Sequence, residues 1–227
     1  HEVDPETMNF KAGDRLQDST RAKSNETVVI LDSTGRTYTL PIHTLPSARG
    51  LGEPLSGRLN APPGATFTGV MSGSNDKLYL LTTSHGYGFV AKLEDFITRN
   101  KKGKGIVKVP LGAKTLAPVT VNDMESEWVA ATSSDGHLLF HHIAELPQMP
   151  RGKGIKIINI PSAKLKSGEE YMSAVAVINE EDNLYIRSGD AKKVMKPEEM
   201  EPFEGERGQR GKKLPPRLRK VDVLRKE

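Results

Sequence analysis

The side chains in this 227-residue chain that could do covalent or metal chemistry are five tyrosines and six histidines; there is no cysteine. The lack of cysteine removes a thiolate nucleophile, thiolate metal ligands and disulfides. A tyrosine hydroxyl becomes a nucleophile when an adjacent base takes its proton. None of Tyr38, Tyr79, Tyr87, Tyr171 and Tyr185 has such a neighbour in sequence, and at least four of them fall at packing positions of strand patterns. His1 is terminal, His43 and His137 stand alone in strand patterns, and His85 sits at a turn. His141 and His142 are adjacent on one strand, so their rings point to opposite faces and cannot share one ion. Neither a catalytic residue nor a metal site is expected, and no Walker loop or dinucleotide fingerprint is present.

The cations are arranged more tellingly. The chain holds 33 Lys and Arg against 29 Asp and Glu, a net charge of only +4, but they cluster. RNKKGKG carries Arg99, Lys101, Lys102 and Lys104, and RGKGIK carries Arg151, Lys153 and Lys156. RGQRGKKLPPRLRK carries Arg207, Arg210, Lys212, Lys213, Arg217, Arg219 and Lys220 with no acid among them, while Arg49 and Arg58 mark an earlier loop. One such cluster is an ordinary solvated loop; recurrence in register is what carries information. If each repeat presents its loop at the same radius, the cations form a discontinuous band matched to a curved phosphate backbone. Glycines in these loops let the main chain approach phosphates closely. Acids gather elsewhere, at Glu180 to Asp182 and from Glu198 to Glu206, so one face should repel a polyanion. Aromatics are 5% and fall in strand patterns, as Tyr79, Phe89, Trp128 and Phe140 do, which argues against stacking platforms for single strands and for duplex contacts through the backbone.

The elements that must position these loops repeat about every fifty residues. TVVILDSTGRTYTLPIHTLP (27–46), KLYLLTTSHGYGFVAKLEDF (77–96), WVAATSSDGHLLFHHIAELP (128–147) and the more degenerate NLYIRSGDAKKVMKPEEMEPF (183–203) each read as strand, tight turn, strand. The turn glycines Gly35, Gly86, Gly136 and Gly189 lie 51, 50 and 53 residues apart. Two further strand candidates follow each of the middle hairpins, GIVKVP and PVTV, then GIKIINIP and MSAVAVI. Four short strands per repeat is the blade arithmetic of a β-propeller. RLRKVDVL (217–224) reads as one more strand and KAGDRLQDST (11–20) as the remains of an earlier blade. The expected fold is therefore all-β, a propeller of about five blades in one domain, with repeats near 1–26 (incomplete), 27–76, 77–126, 127–182 and 183–227.

Mean hydropathy of −0.49 with 36% hydrophobic residues suffices for a core of many short strands. No apolar run reaches the roughly 18 to 20 residues of a membrane helix, and no signal pattern opens the chain. HEVDPETMNF reads as a start inside a longer protein. No contact with a membrane is expected, and an intracellular origin is the default.

The stretch DSTGRTYTLPIHTLPSARGLGEPLSGRLNAPPGA (32–65), with GYGFV, ITRNKKGKG and PRGKGIKIINIPSA, closely resembles the C-terminal domains of bacterial topoisomerase IV A subunits (ParC), relatives of the gyrase A C-terminal domain. The resemblance covers nearly the whole chain. It implies a broken, open β-propeller, or β-pinwheel, with hairpins exchanged between blades. It further implies a rim that binds and bends duplex DNA for decatenation and supercoil relaxation by a type IIA isomerase. The nucleophilic tyrosine and breakage-reunion core would lie in a preceding part, so the domain by itself is expected to be a monomer with no catalysis and no cofactor. ATP and Mg²⁺ would act in a cytoplasmic, chromosome-associated A2B2 enzyme with the ATPase B subunit, ParE. The gyrase family carries a glutamine-arginine-glycine-lysine box in its first blade; here HEVDPETMNFKAGD is acidic and lacks it, favouring bending or weak wrapping over strong wrapping. The alternative is a scaffold that recruits chromosome-segregation proteins through hairpin tops or the acidic face.

Overall fold

The computed structural model describes residues 10, 12, 14–47 and 52–227. The strands are β1 (Thr27–Asp32), β2 (Arg36–Pro41), β3 (Phe67–Met71), β4 (Leu78–Thr82), β5 (Tyr87–Lys92), β6 (Lys104–Gly105), β7 (Val119–Val121) and β8 (Trp128–Ser133). They continue as β9 (His137–His142), β10 (Ile155–Lys156), β11 (Met172–Ile178), β12 (Leu184–Ser188), β13 (Ala191–Met195), β14 (Lys212–Lys213) and β15 (Val223–Lys226). Three short helices interrupt them, α1 (Leu93–Phe96), α2 (Ser162–Ser167) and α3 (Pro197–Met200).

All four expected hairpins form: β1 with β2, β4 with β5, β8 with β9 and β12 with β13, each antiparallel. They nucleate sheets of one common order, β3-β1-β2-β6, β7-β4-β5-β10, β11-β8-β9-β14 and the three-stranded β15-β12-β13. One edge of each sheet is formed by β3, β7, β11 or β15, and β11 packs against both β7 and β15 where sheets converge. The opposite, outer edge of the first three sheets is a two-residue strand donated by the following repeat, β6, β10 or β14. This is hairpin exchange between blades.

β1, β4, β5, β8 and β9 are buried on both faces because their sheets are covered on each side, whereas β12 and β13 of the last sheet keep the alternation of a half-exposed strand. Val29 and Leu31 pack with Tyr79, Leu81 and Phe89 between the first two sheets. Leu80 and Val90 meet Val129, Leu139, Ile157 and Ile158 between the second and third. Ala130 and Phe140 meet Ile186 and Leu224 between the third and fourth. The remaining face of the first sheet is covered by its own loop, through Ile30, Tyr38 and Leu59. Among the described residues, no apolar layer joins the fourth sheet to the first, so the sheets are linked in series and the propeller is open.

Several expectations change. The described residues form four sheets rather than about five. Within the expected incomplete first blade, residues 14–26 form no strand; this segment carries no alternating apolar pattern and lies beside β3 through side chains. The Asp18 carboxylate accepts from Val70 N (2.9 Å) and Ser72 Oγ donates to Arg21 O (2.8 Å). GIVKVP and GIKIINIP give only Gly105 and the pair Ile155–Lys156 as strand, because the chain then leaves the sheet edge to bury Ile106, Val107, Ile157 and Ile158 between blades. The last strand begins at Val223, after a 3-10 turn at Pro216–Leu218. His43 lies in a 3-10 turn, not a strand, and α2 falls where no helix is expected.

Candidate nucleic-acid interface

The three exchanged strands carry the basic motifs. Lys104 belongs to β6, Lys156 to β10, and Lys212 and Lys213 to β14. Each strand is preceded by a left-handed glycine, Gly103 (φ 76°), Gly154 (φ 75°) and Gly211 (φ 75°). A Cβ there would collide with the carbonyl oxygen of Thr37, Gly88 or Leu138 of the receiving strand. The shared device for laying one blade's loop against another blade's edge is thus this single glycine, the first of GKG at 103–105, the last of GKG at 152–154 and the first residue of GKK at 211–213.

The crossing chains are anchored identically. Ile106 N and Val107 N both donate to Gly35 O (2.9 Å each), Ile157 N to Gly86 O (2.7 Å) and Leu214 N to Gly136 O (2.8 Å). Successive loops are also laced together. Gly152 N donates to Ile106 O and Lys108 N to Gly152 O (2.9 Å each), while Gly208 N donates to Ile157 O (2.8 Å) and Asn159 N to Gln209 O (2.9 Å). Three basic loops become one hydrogen-bonded rim whose charges hold fixed spacing.

The cations named from sequence divide into two sets. Arg99, Lys101, Lys102, Lys104, Arg151, Lys153, Lys212, Lys213 and Arg217 are exposed. Lys153 lies with Nζ 4.0 Å from the Tyr87 ring centre, and Lys104 Nζ donates to Asp95 O (2.8 Å), which orders both stems. Others hold the loops instead. Arg207 Nη1 donates to Lys156 O (2.7 Å), Arg219 Nε to Leu214 O (2.9 Å) and Lys156 Nζ to Asn159 Oδ1 (3.2 Å). Arg210 Nη2 is 2.6 and 2.7 Å from the two oxygens of buried Glu170. Arg58 is apart from the exchanged strands, tying Glu53 to the Thr44 carbonyl. Arg49 lies outside the described residues. Sequence reasoning missed Arg36, whose Nε and Nη2 donate to Lys102 O and Gly103 O (2.8 Å each). The sequence separation of 66 between Arg36 and Lys102 hides that contact, which becomes legible only once β6 is known to cross onto β2.

The exchanged strands and the two acidic stretches attach toward opposite ends of the sheets. β6 pairs with Arg36 and Thr37, β10 with Tyr87 and Gly88, and β14 with His137 and Leu138, all beside the hairpin turns. The acidic stretches follow Ile178 and Met195, residues that pair with Trp128 and Leu184 at the far ends of the sheets. At the basic end, burial and the neighbouring Lys153 hold His85 below the usual imidazole range, so it adds no charge near neutral pH.

Two of the buried tyrosines are held by hydrogen bonds. The Tyr38 hydroxyl donates to Asp32 Oδ2 (2.7 Å), and burial raises its pKa, which disfavours the tyrosinate. Tyr79 Oη donates to Ser72 O (2.7 Å). Asp135, His137 and Glu170 bring ligand atoms within 4.8 Å of one another. Their charge is already met by Arg210, 3.7 Å from Asp135 as well as bound to Glu170, and by Lys213, 3.5 Å from Asp135.

Residues 78–122 and 142–179 match the family model of the DNA gyrase C-terminal domain, a β-propeller. The chain is 44% identical over 224 residues to the A subunit of DNA topoisomerase 4 from Pseudomonas aeruginosa, covering 99% of this chain and 30% of that protein. It is 42% identical over 211 residues to the corresponding protein of Escherichia coli K12, covering 93% of this chain and 28% of that one. It therefore spans less than a third of the length of these relatives. The solved E. coli ParC C-terminal domain superposes with a TM-score of 0.85 at 40% identity, covering 100% of this chain and 91% of that one. With that superposition and 40% identity over nearly the whole of both chains, the chain belongs to the family of C-terminal β-propeller domains of ParC, the A component of bacterial DNA topoisomerase IV.

Proposed function

We propose that this chain binds duplex DNA along the rim of exchanged strands and bends it, presenting DNA segments to a topoisomerase IV core for ATP-dependent decatenation and supercoil relaxation. The carrying observation is that β6, β10 and β14 occupy the same outer edge of three successive sheets, with exposed cations on and beside them. Lacing of the loops fixes these charges at intervals, which lowers the ordering cost of meeting a phosphate backbone. Bending follows from a basic edge that passes from sheet to sheet around the fold, because a duplex must curve to keep touching it. Catalysis is assigned to the remainder of ParC, with ParE supplying ATP turnover in an A2B2 enzyme that also uses Mg²⁺. The setting is the bacterial cytoplasm at the chromosome, and the domain is a monomer within that assembly. The described residues include no helix long and apolar enough to cross a membrane.

The test is the affinity for a linear duplex of several tens of base pairs as salt is raised. The chain is compared with a variant carrying Glu at Lys101, Lys102, Lys104, Arg151 and Lys153, all exposed. With about six phosphates contacted, affinity falls roughly 10³- to 10⁵-fold between about 50 and 200 mM salt, and the variant binds weakly with a shallower slope. Unchanged or salt-insensitive binding by the variant would remove DNA from this rim.

A further inference from the structure

At the end of the third and fourth sheets away from the exchanged strands lies a cavity of about 130 Å³. Trp128, Phe140, Ile178 and Met200 form its apolar wall, and Glu180 and Glu204 stand at its mouth. Asn179 and Glu180 continue into a second groove of about 540 Å³ that includes Glu125, Glu181 and Asp182. Asp182 is paired with Lys226 at 3.3 Å; among the described residues, Glu125, Glu180, Glu181 and Glu204 are in no ion pair. Trp128 stacks on His142 with ring centres 3.8 Å apart, yet its buried indole Nε1 has no hydrogen-bond partner. A buried donor left unpaired costs on the order of 1 to 3 kcal/mol.

We infer that this cavity and groove form a docking site for a basic, apolar-anchored peptide segment of a partner protein. One apolar side chain fills the cavity against the Trp128 ring, and flanking lysines or arginines meet Glu180, Glu181 and Glu204. The size fits, since an apolar cavity of roughly 150 Å³ accepts a benzene-sized group. The charge selects the partner: an acidic segment or a nucleic acid is repelled here, and a neutral one leaves the carboxylates unmatched. Phe140 and His142 of the site lie two and four residues along β9 from Leu138, the nearer contact of β14, about 7 and 13 Å at strand rise, on the side away from the hairpin turn.

Trp128 is the single tryptophan of the chain, so its fluorescence and its one indole N–H resonance report on the site without labelling. The probe is a capped peptide, Lys-Lys-Gly-Leu-Phe-Gly-Lys-Lys, titrated into this chain beside two controls, one with Glu for every Lys and one with Ala-Ala for Leu-Phe. The expected result is a saturable shift of the indole proton with the basic peptide and binding at least tenfold weaker for both controls. The exposed charge reversals Glu180→Lys and Glu204→Lys together weaken the basic peptide at least tenfold, while the unliganded indole resonance stays in place and shows an intact fold. An unmoved indole signal at millimolar peptide overturns the proposal. So do equal binding of the Glu control and unchanged binding by the doubly reversed chain. An indole shift that grows with protein concentration alone gives the site to a second copy of the chain and overturns it as well.

Discussion

Arg210 holds the carboxylate of Glu170 with Nη2 2.6 and 2.7 Å from its two oxygens, and its Nη1 donates to the carbonyl of Asn159 (3.0 Å). Glu170 is 1% exposed, so this is a buried carboxylate with one dominant counter-ion, and it pins the exchanged β14 to the end of the preceding crossing chain. Removing one partner of a buried pair leaves the other charge stranded, at a cost of about 3 to 5 kcal/mol, whereas replacing both is often near neutral. Arg210→Leu should therefore destabilise by about that amount, and Arg210→Leu with Glu170→Leu should recover most of it. Urea denaturation of the wild type, both single variants and the double variant measures the coupling. Additive losses would mean that the pair is not acting as a pair.

Glycine at the start of each exchanged strand makes a sharper demand. Gly154 has φ 75° and its missing Cβ would run into the backbone of Gly88, which is not a flexible group that can move aside. Gly154→Ala should cost more than the roughly 1 to 2 kcal/mol of a left-handed alanine, because β10 must also lift from β5. Amide exchange should show it locally, with Ile157 N, bonded to Gly86 O at 2.7 Å, losing protection before the β4–β5 hairpin does. Equal loss across the sheet would indicate global destabilisation instead.

His141 is fully buried, and that burial depresses its pKa against the opposing pull of the His142 carbonyl and Glu145. Its Nδ1 is 2.8 Å from the His142 carbonyl oxygen, which requires the Nδ1–H tautomer, and Nε2 has no partner. Burial also lowers the pKa of His137, with Arg210 adding to it. The unfolded imidazoles titrate near about 6.5 and the folded ones lower, so between those values the unfolded chain holds more protons. The stability from these groups is complete above pH ~6.5 and is lost as pH falls through the depressed values, by at most about 1.4 kcal/mol per pH unit for each proton. Urea midpoints at pH 7.5 and 5.5 should therefore differ, and His141→Leu should narrow the gap. A midpoint that is flat with pH, or higher at pH 5.5, contradicts this assignment.

The hairpins are legible in the sequence because each writes its own signal: apolar runs around Gly35, Gly86, Gly136 and Gly189 pair with themselves within a few residues. The basic loops are legible as loops, but their destinations are not. β6 pairs with Arg36, β10 with Tyr87 and β14 with His137, partners tens of residues away that no local pattern names. The same blindness merges two kinds of cation. Lys101 and Arg210 look alike in sequence, and only the exchange shows one exposed and the other committed to Glu170. KAGDRLQDST (11–20) reads as the remains of an earlier blade; its residues 14–20 form no strand, and their contacts with β3 are made by polar side chains such as Asp18, which produce no periodicity. The pocket beside Trp128 assembles from four separated segments, so nothing in the order of residues announces it.

Lys153 and Arg219 should separate by salt dependence. Lys153 is exposed with its ammonium over Tyr87, ordered but not neutralised, whereas Arg219 lies across the Gly136 turn with Nε on Leu214 O. Each phosphate contact contributes close to one unit of slope in log affinity against log salt. Lys153→Gln should reduce that slope by about one while leaving the urea midpoint nearly unchanged, since an exposed cation adds little to folding. Arg219→Gln should do the reverse, removing a hydrogen bond worth about 1 kcal/mol and leaving the slope intact. If Arg219→Gln flattens the slope as Lys153→Gln does, the arginine swings off the turn to meet the duplex, and the rim extends past β14 to the last blade.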